Sequence, residues 1–440
     1  MVGRFLHKVW GMCIEGKGIR GTCRYVWGKL WGEIDRAVGI LARKIMSLTT
    51  PVQANKVFFH TQESHYCCNP KYICEALRQR NTDGQIDIVW RVSVKGKSGV
   101  PSGMRVVKFN TFRYFKELCS AKVVVSNSFL YVNVPVSLKK DQVLLQTWHG
   151  SLGIKRFGKE DIKDSKRRVQ ALVQTGKMTS FCLTNSQLEN HSLSDTFWPN
   201  TPKLLYGHAR NDLFFPEHEE ERLLLRNKYF KKWGLSEDVK VAMYAPTFRD
   251  SKGFDCYRVD FERVLEALTE RFGGEWRIVL RYHPSMAKDY AKSAVKGTKK
   301  HHVIEATDVL DMQELIALTD VAITDYSSWI YDFILMRKPG FIYAVDLEKY
   351  NTERGFYYPI ETTPFAISTN NDELVDSILS FDDEAYQSKL EAFLEEKGCV
   401  EDGHAAERAA DLICRIIAGE KPAEAAKESL HVQQSGQLDE

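Results

Sequence analysis

The sequence predicts an α/β protein made of two doubly wound units that face each other across a cleft. Short β-rich runs alternate with helical ones from Lys56 onward, and these runs are apolar along their whole length, which is typical of parallel strands buried on both faces. A charged, helix-prone stretch at 217–232 separates the runs into two series. A chain of 440 residues has room for two such units, because domains average roughly 150 residues.

Each series contains four predicted strands. Those of the first are 56–59, 86–90, 122–125 and 143–146, and those of the second are 241–244, 276–280, 320–323 and 340–343. Helical patterns occupy 261–272 and much of 383–418. The predicted division of the chain is a basic, tryptophan-rich segment at 1–50, a first unit at 51–215, a second unit at 216–418 and a polar, disordered tail at 419–440.

Composition excludes several classes of protein. Hydrophobic residues make up 43% of the chain and charged residues 27%, and the formal net charge is only +3, so we expect neither a disordered chain nor a nucleic-acid partner. The ten cysteines lack the spacing of a zinc site, so we expect reduced thiols and no metal. We expect neither a secreted nor a membrane-spanning protein, because no secretory signal and no apolar stretch of roughly 18 residues is visible.

Residues 1–50 differ from the rest of the chain. They carry nine basic and three acidic residues. One predicted helical face within them is apolar and consists of Trp27, Leu30, Trp31, Ile34, Val38, Leu41 and Ile45. Such a helix is typical of a membrane interface, where indole rings favour the headgroup boundary and basic side chains attract anionic lipid. Packing on the protein's own surface explains the pattern equally well, because several glycines weaken the first half of the helix.

Polar residues follow the predicted strands at their carboxyl ends, where doubly wound sheets bind ligands. The first cluster is QTWHGSLG at 146–153, in which His149 follows a strand and precedes Gly150, Ser151 and Gly153. A histidine can take a proton from an attacking hydroxyl near neutral pH, and the backbone N–H groups after it can face a phosphate. We therefore predict that His149 is catalytic, and a hydrogen-bonded structural histidine is the alternative.

Two further clusters follow strands of the second series. They are YAPTFRD at 244–250 and LRYHP at 280–284. Arg281 and His283 lie two residues apart, so they point to the same side of an extended backbone. A guanidinium fork binds phosphate oxygens and a protonated imidazole offsets charge on a leaving group, so this pair suits a diphosphate. A surface turn ended by Pro284 is the alternative.

The fourth cluster is TDYSS at 324–328, directly before a helical run at 329–335. Serine hydroxyls at a helix N-terminus either cap the helix or donate to a phosphate, so Ser327 and Ser328 are candidate ligand contacts. Asp332 lies one turn after Ser328 and is placed to accept a hydrogen bond from a sugar or base hydroxyl.

Several well-known nucleotide and hydrolase motifs are absent. The chain has no GxxxxGK[ST] loop, GxGxxG fingerprint, HExxH or GxSxG, so kinase, dehydrogenase, zincin and α/β-hydrolase functions lose support. Two facing α/β units that bring histidines and phosphate ligands into one cleft predict nucleotide-activated group transfer instead.

Taken together, the clusters resemble the CDP-glycerol glycerophosphotransferase family of teichoic acid synthesis. The resemblance runs from about 51 to 404 and rests on NPKYI at 69–73, SNS at 126–128, QTWHGS, RND at 210–212, YAPTFR, RYHP, TDYSS, DLEKY at 346–350 and RGFYY at 354–358. It implies a GT-B-type fold that uses no cofactor and no catalytic metal. In that family an alditol phosphate passes from its CDP ester to a hydroxyl, and CMP is released.

The resemblance also implies partners and a location. The donor is CDP-glycerol or CDP-ribitol, bound by the second unit, and the acceptor is a lipid-linked saccharide or a poly(alditol phosphate), bound by the first. The enzyme then lies peripherally on the cytoplasmic side of the cell membrane. A sugar-nucleotide glycosyltransferase of the same architecture and a catalytically silent membrane assembly factor stay open as alternatives, as do glycerol against ribitol and primase against polymerase.

Site residues are carried over from the family position by position. His149 corresponds to the general base, and Arg281 and His283 correspond to groups that stabilise the diphosphate. His149 and His283 are therefore the two predicted catalytic residues. The other implied contacts with CDP-glycerol are Gly150, Ser151, Leu152, Gly153, Arg210, Pro246, Thr247, Tyr282, Ser327, Ser328 and Asp332. The chain departs from the family pattern at Ser151, where threonine is usual, and at Ala209, where a proline usually precedes the arginine.

Overall fold

The computed structural model describes residues 43–62, 65–93, 99–130, 138–157, 166–196, 198–247, 258–282 and 302–427. All eight predicted strands are confirmed, and so are the helical patterns at 217–232, 261–272 and 383–418. The predicted apolar helix within 1–50 falls outside the described residues except for its end, where residues 43–49 are helical.

The first unit is built on one parallel sheet. Its strands are β1 (Gln53–His60), β2 (Asp87–Val92), β3 (Arg105–Lys108), β4 (Ala121–Ser126), β5 (Val143–Gln146), β6 (Phe181–Thr184) and β7 (Lys203–Leu205). They lie in the order β3-β2-β1-β4-β5-β6-β7. The central strands β1 and β4 are buried on both faces, which explains why they are apolar without alternation. The strand order reverses direction beside β1, which is where such sheets bind ligands.

The second unit repeats this architecture with six parallel strands. These are β8 (Lys240–Tyr244), β9 (Trp276–Leu280), β10 (Val303–Glu305), β11 (Val321–Thr324), β12 (Gly340–Tyr343) and β13 (Ala366–Ser368). Their order is β10-β9-β8-β11-β12-β13, so β8 and β11 are central. The carboxyl ends of β5, β8, β9 and β11 carry the four predicted polar clusters.

Helices cover the faces of both sheets. In the first unit they are α1 (Cys68–Arg80), α2 (Phe112–Ser120), α3 (Lys166–Met178) and α4 (Gln187–Thr196), followed by a 3-10 helix at Ala209–Phe214. In the rest of the chain they are α5 (Glu219–Trp233), α6 (Phe261–Phe272), α7 (Met312–Ala317), α8 (Trp329–Phe333), α9 (Leu347–Arg354), α10 (Asn371–Leu379), α11 (Asp383–Glu396), α12 (Ala405–Ile417) and α13 (Pro422–Ala425).

The last long helix returns to the first unit, which the assignment of 216–418 to a single domain did not anticipate. The amphipathic α12 packs against α1 and the 3-10 helix. Its first N–H groups, those of Ala405 and Ala406, donate to the Asp212 carboxylate at 3.0 and 2.7 Å. This carboxylate satisfies helix donors that have no partner within the helix itself. Through α12, the chain that forms the second unit ends packed on the first unit.

The predicted disordered tail is wrong for its first residues. Residues 422–425 form α13, and Ala425 and Ala426 are buried, because small side chains pack closely against α12. Residues 428–440 lie outside the described part of the chain. Within the described residues, no helix is both long and apolar enough to cross a membrane.

Candidate active site

A cavity of about 230 Å³ lies between the two units at the carboxyl ends of their strands. The first unit lines it with Cys67, Cys68, His149 and Arg210. The second unit lines it with Arg281, Leu310, Asp311, Met312, Gln313, Ser327, Ser328, Trp329 and Asp332. Six of the predicted site residues therefore meet around one cavity, although in sequence they are spread from 149 to 332. The crevice beyond the strand ends is the place that doubly wound topology assigns to a ligand.

The imidazole of His149 is held in one tautomer by the backbone. Its Nδ1 lies 2.7 Å from the carbonyl oxygen of Asn127 at the end of β4. A carbonyl oxygen only accepts, so Nδ1 carries the proton, and in the neutral ring Nε2 carries the lone pair. The residue before it, Trp148, has φ of 52°, a left-handed conformation that turns the chain sharply after β5. The turn presents a proton acceptor at the cavity.

Two glycines in this loop are required by close contacts. A Cβ on Gly150 would lie 2.5 Å from Nε1 of Trp148, a distance that no side chain tolerates. A Cβ on Gly153 would lie 3.2 Å from Cβ of Ser328, so this glycine lets the first unit approach the helix N-terminus of the second. The glycines thus serve packing, and neither lines the cavity.

Ser151 and Leu152, which were predicted to contact the donor, also lie away from the cavity lining. The Ser151 hydroxyl accepts a hydrogen bond from Asn185 Nδ2 at 3.1 Å. Leu152 is 1% exposed, and its carbonyl accepts a hydrogen bond from the Tyr358 hydroxyl of the second unit. These contacts fix the loop that carries His149, and they give the hydroxyl at 151 a structural partner.

Arg210 reaches the cavity as half of a buried ion pair. Its Nε lies 3.0 Å from Oδ2 of Asp332 and one terminal nitrogen lies 3.2 Å from Oδ1, and both residues are almost fully buried. Burial alone would lower the pKa of Arg210, but the adjacent Asp332 carboxylate outweighs it and raises that pKa above its ordinary value. The guanidinium also donates to the carbonyl of Gly150, which links it to the His149 loop. The missing proline before Arg210 does not displace it from the site.

Asp332 therefore has a different role from the predicted contact with a substrate hydroxyl. Besides the two bonds from Arg210, its oxygens accept from Asn211 Nδ2 at 3.1 Å and Gln313 Nε2 at 3.2 Å. A carboxylate offers about four acceptor positions, and these four donors occupy them. The carboxylate positions Arg210, and the prediction from its place one turn after Ser328 is corrected accordingly.

Arg281 is the cation that the second unit brings to the cavity. Its backbone N–H donates to the carbonyl of Tyr244 at 3.0 Å, which continues the β8–β9 ladder past the end of the strands. Its guanidinium lies 3.0 Å from the Met312 sulfur and 3.4 Å from the Val309 carbonyl oxygen. A thioether sulfur is a weak acceptor, so a phosphate oxygen would be a stronger partner than the sulfur.

Ser328 occupies the N-cap position of α8 but does not cap the helix with its side chain. The alternative that capping alone explains the two serines therefore fails for Ser328. Its hydroxyl and that of Ser327 line the cavity instead. The start of α8 is fixed in another way, because Trp329 Nε1 donates to the Ala245 carbonyl at 2.9 Å. Two hydroxyls at a fixed loop-to-helix junction suit a phosphate.

The remaining predicted site residues lie behind the cavity or outside the described chain. Pro246 and Thr247 follow β8, and the Thr247 N–H donates to the buried Asp325 carboxylate at 2.8 Å, so they support the loop after β11. Tyr282 is 1% exposed and belongs to the core of the second unit. His283 falls outside the described residues, and its assignment stays a prediction.

Two residues that sequence reasoning left without a role organise the site. Asn69 at the start of α1 donates to the Thr147 carbonyl at 2.7 Å and accepts from the Arg210 N–H at 3.1 Å. Asn69 therefore joins the loop that carries His149 to Arg210. Asn127 supplies the carbonyl that orients His149. Both lie in motifs that the family resemblance includes, NPKYI and SNS, and that was the available signal.

An ionic cluster connects α1 with α7 at the edge of the cavity. Lys71 lies 2.8 Å from Asp311 and 3.2 Å from Glu314, and Asp311 is 3% exposed. Burial would raise the pKa of Glu314, but Lys71, with Lys228 and the Tyr229 hydroxyl, holds it down to about 2. The attraction between these oppositely charged groups therefore holds the two units together beside the cavity.

Within the described residues, no group of three or more histidine, cysteine, aspartate or glutamate side chains is placed to hold a metal ion. The seven cysteines in that part of the chain form no disulfide. The polar side chains that line the cavity include an imidazole, two guanidinium groups, serine hydroxyls, the Gln313 amide, two thiols and two carboxylates, and both carboxylates already accept hydrogen bonds. This set can move a proton and bind an anion.

The family model for CDP-Glycerol:Poly(glycerophosphate) glycerophosphotransferase matches residues 42–415 of this chain. The chain belongs to this family. The match spans both sheets, the cavity and α12 almost to its end, so it covers all of the described fold except the last residues of α12 and the short α13. It confirms the resemblance drawn from the motifs.

Curated relatives and solved structures agree with the family assignment. The teichoic acid poly(glycerol phosphate) polymerase of Staphylococcus epidermidis is 28% identical over 371 residues, which cover 80% of this chain and 49% of that protein. The teichoic acid ribitol-phosphate primase of Bacillus spizizenii is 27% identical over 394 residues, which cover 88% of this chain and 97% of that protein. The chain thus spans about half the length of the polymerase.

The structure of the wall teichoic acid polymerase TagF is similar over nearly the whole fold. The TM-score is 0.75 at 25% identity, and the alignment covers 91% of this chain and 98% of the TagF chain. The predicted GT-B-type arrangement of two facing α/β units is confirmed by this similarity. The TagF chain therefore shares the overall fold described here.

Proposed function

We propose that this chain transfers an alditol phosphate from CDP-glycerol or CDP-ribitol to a hydroxyl of a lipid-linked acceptor, with release of CMP, in the synthesis of teichoic acid or a related envelope polymer. The observation that carries the proposal is the convergence of a tautomer-fixed His149 with Arg210, Arg281 and the two serines on one cavity, in a chain of the glycerophosphotransferase family. TagF has also been solved with CDPG, which supports a CDP-linked donor.

His149 acts as the general base in this proposal. Its Nε2 accepts the proton of the acceptor hydroxyl as the oxygen attacks the phosphorus next to the alditol. The Asn127 carbonyl holds the ring in the required tautomer and stabilises the imidazolium that forms. A positioned base of this kind contributes roughly 10²- to 10⁴-fold to the rate.

The cations act on the diphosphate. The bond between the attacked phosphorus and the bridging oxygen breaks, and negative charge accumulates on departing CMP. Arg281 and the hydroxyls of Ser327 and Ser328 are placed to bind phosphate oxygens, and Arg210 is held rigidly by Asp332. Phosphoryl transfer requires little covalent chemistry from the protein, so fixed positions and fixed charges supply most of the acceleration.

A donor panel tests the reaction class. Purified protein is offered CDP-glycerol, CDP-ribitol and a series of UDP- and GDP-sugars together with a lipid-linked disaccharide, and nucleotide products are separated by chromatography. We expect CMP from one CDP-alditol and no nucleoside diphosphate from any sugar donor. Turnover of a sugar nucleotide, with no CMP from either CDP-alditol, would overturn the proposal in favour of a glycosyltransferase.

We also propose that the protein works at the cytoplasmic surface of the membrane, with residues 1–50 contributing to attachment. Two features of the described chain support this. Arg43 lies over the Phe115 ring of α2 at 5.3 Å, so the end of the basic segment is docked on the first unit. Ile45 and Leu48 on that segment, and Phe112 on α2, are nonetheless 52%, 74% and 73% exposed. Large apolar groups beside basic ones suit a lipid interface.

Vesicle sedimentation tests the attachment. The variant Ile45→Ser/Leu48→Ser removes two exposed apolar groups, and Leu223→Ser/Leu224→Ser on α5 is the matched control, since these leucines are 51% and 64% exposed. We expect the first variant to bind vesicles with 30% anionic lipid about tenfold more weakly, and the control to bind like the wild type. Equal binding by all three proteins would contradict the role of this segment.

A further inference from the structure

A second cavity lies where the segment that follows the His149 loop meets the second unit. Its volume is about 600 Å³, within the range of small-molecule sites. The first unit contributes one residue to it and the second unit contributes the stretch from α9 to the following 3-10 helix. The lining residues that matter here are Arg156, Glu348, Phe356, Tyr357, Tyr358 and Glu361. We call this space the aromatic cavity.

The aromatic cavity is connected to the catalytic loop by backbone contacts. The segment after Gly153 pairs with the second unit, since the Tyr357 N–H donates to the Ile154 carbonyl at 2.8 Å and the Arg156 N–H donates to the Gly355 carbonyl at 3.2 Å. Gly355 has φ of 75°, and a Cβ there would lie 3.1 Å from Cδ of Arg156, so the approach depends on a glycine.

One aromatic side chain of the cavity lining also contacts the loop that carries His149. The Tyr358 hydroxyl donates to the Leu152 carbonyl, three residues after His149. A molecule bound in the aromatic cavity therefore lies against the same short segment that positions the base. A fully extended chain spans at most about 3.5 Å per residue. His149 and Arg156 are therefore no more than roughly 25 Å apart.

The chemistry of the lining selects the class of ligand. Phe356, Tyr357 and Tyr358 all line the cavity, although Phe356 and Tyr358 are only 8% and 9% exposed, and the exposed rim carries Glu348 and Glu361. Aromatic faces pack on the apolar faces of rings, and carboxylates accept hydrogen bonds from hydroxyls. A lipid chain would not favour the charged rim.

The charge balance separates a neutral ligand from an anionic one. Among the described lining residues, the carboxylates of Glu348 and Glu361 face a single guanidinium, that of Arg156. Two carboxylates repel the phosphates of a poly(alditol phosphate) chain, because like charges at short range disfavour binding. The lining thus fits a neutral, polyhydroxylated ring.

We propose that the aromatic cavity binds the saccharide part of the acceptor while the reacting hydroxyl lies at His149. This inference rests on the proposed function, which supplies the need for a hydroxyl-bearing acceptor. It goes further because it assigns a place and a chemical class to that acceptor: a neutral sugar is preferred to a poly(alditol phosphate) end.

Direct binding and kinetics together test the inference. The variant Glu348→Ala/Glu361→Ala removes both rim carboxylates, and Glu237→Ala/Glu395→Ala is the matched control, since all four residues are exposed. The binding probe is a soluble N-acetylhexosamine disaccharide, compared by calorimetry with a short poly(glycerol phosphate). The kinetic readout is CMP release as a function of lipid-linked disaccharide concentration.

We expect the disaccharide to bind the wild type and the control equally and the rim variant about tenfold more weakly. The KM for the lipid-linked disaccharide should rise by the same factor, while the KM for the CDP-alditol changes less than twofold. A rim variant that matches the control, or a wild type that prefers poly(glycerol phosphate), would overturn the inference. Failure of the proposed function gives a separate result, namely no CMP from any CDP-alditol, and the calorimetric comparison still decides the role of the cavity.

Discussion

The two walls of the active-site cavity differ in how the protein holds their polar groups. In the first unit, the His149 ring is fixed by the Asn127 carbonyl, and Arg210 is fixed by a buried carboxylate. In the second unit, Ser328 makes no capping bond and the Arg281 guanidinium contacts a thioether sulfur. The first wall thus holds its polar groups in fixed positions, and the second presents groups for which phosphate is the stronger partner. Substitutions should therefore affect the two walls differently.

The largest effect is expected at His149. The variant His149→Gln keeps a polar side chain but removes the base, so kcat for CMP release should fall about 10³-fold while the free energy of unfolding changes little. The exposed His191→Gln is the control and should retain wild-type turnover. A loss of less than tenfold in His149→Gln would mean that the ring is structural and would remove the distinction between the walls.

Asp332→Asn tests how Arg210 is held. Removing one partner of a buried ion pair leaves an uncompensated charge, so the free energy of unfolding in urea should fall by roughly 3 kcal/mol. The control is Asp372→Asn, which breaks an ion pair with Arg263 in which Asp372 is 80% exposed, and it should change stability by less than about 1 kcal/mol. Equal effects of the two substitutions would contradict the buried, positioning role of Asp332.

The ionic cluster that connects α1 with α7 gives a pH-dependent prediction of intermediate size. Because the pKa of Glu314 is held down to about 2, its stabilising contribution is complete above the unfolded pKa near 4.3 and is lost as the pH falls toward 2. Between pH 5 and pH 2, the wild type should lose roughly 2 kcal/mol more free energy of unfolding than Glu314→Gln. Identical pH profiles would show that Lys71 does not pair with Glu314 in solution.

The smallest effect is expected at Ser328. If the Ser328 side chain capped α8, its replacement by alanine would lower the free energy of unfolding by about 1 kcal/mol. Because Ser328 makes no such bond, Ser328→Ala should change the free energy of unfolding by less than about 0.5 kcal/mol. The KM for the CDP-alditol should nevertheless rise about fivefold. A stability loss without a change in KM would assign Ser328 to helix capping after all.

Most of the fold was predictable because central parallel strands are apolar along their whole length. The strands missed in the sequence, β3, β6, β7, β10 and β13, have three or four residues each and lie toward the sheet edges, where so short a run carries no periodic signal. The return of α12 to the first unit was also missed, since an amphipathic pattern shows that a helix packs but not on what.

Part of the site was predictable from the sequence and part was not. Motifs at strand ends were enough to bring His149, Arg281 and the serines together, because topology alone places strand ends side by side. Arg210 was added by the family resemblance. The role of Asp332 was mistaken because its partner Arg210 lies 122 residues away in the sequence. The carbonyl of Asn127 has no side-chain signature at all, so only coordinates reveal that it sets the tautomer of His149.

The central claim is that phosphorus, and not a sugar carbon, is the atom attacked in this cavity. It is tested most directly with CDP-glycerol or CDP-ribitol that carries ³²P only at the phosphorus next to the alditol, incubated with protein and lipid-linked disaccharide. The account predicts that the label appears on the acceptor together with the alditol and that the released CMP is unlabelled. Label that stays with the nucleotide as CDP would contradict it.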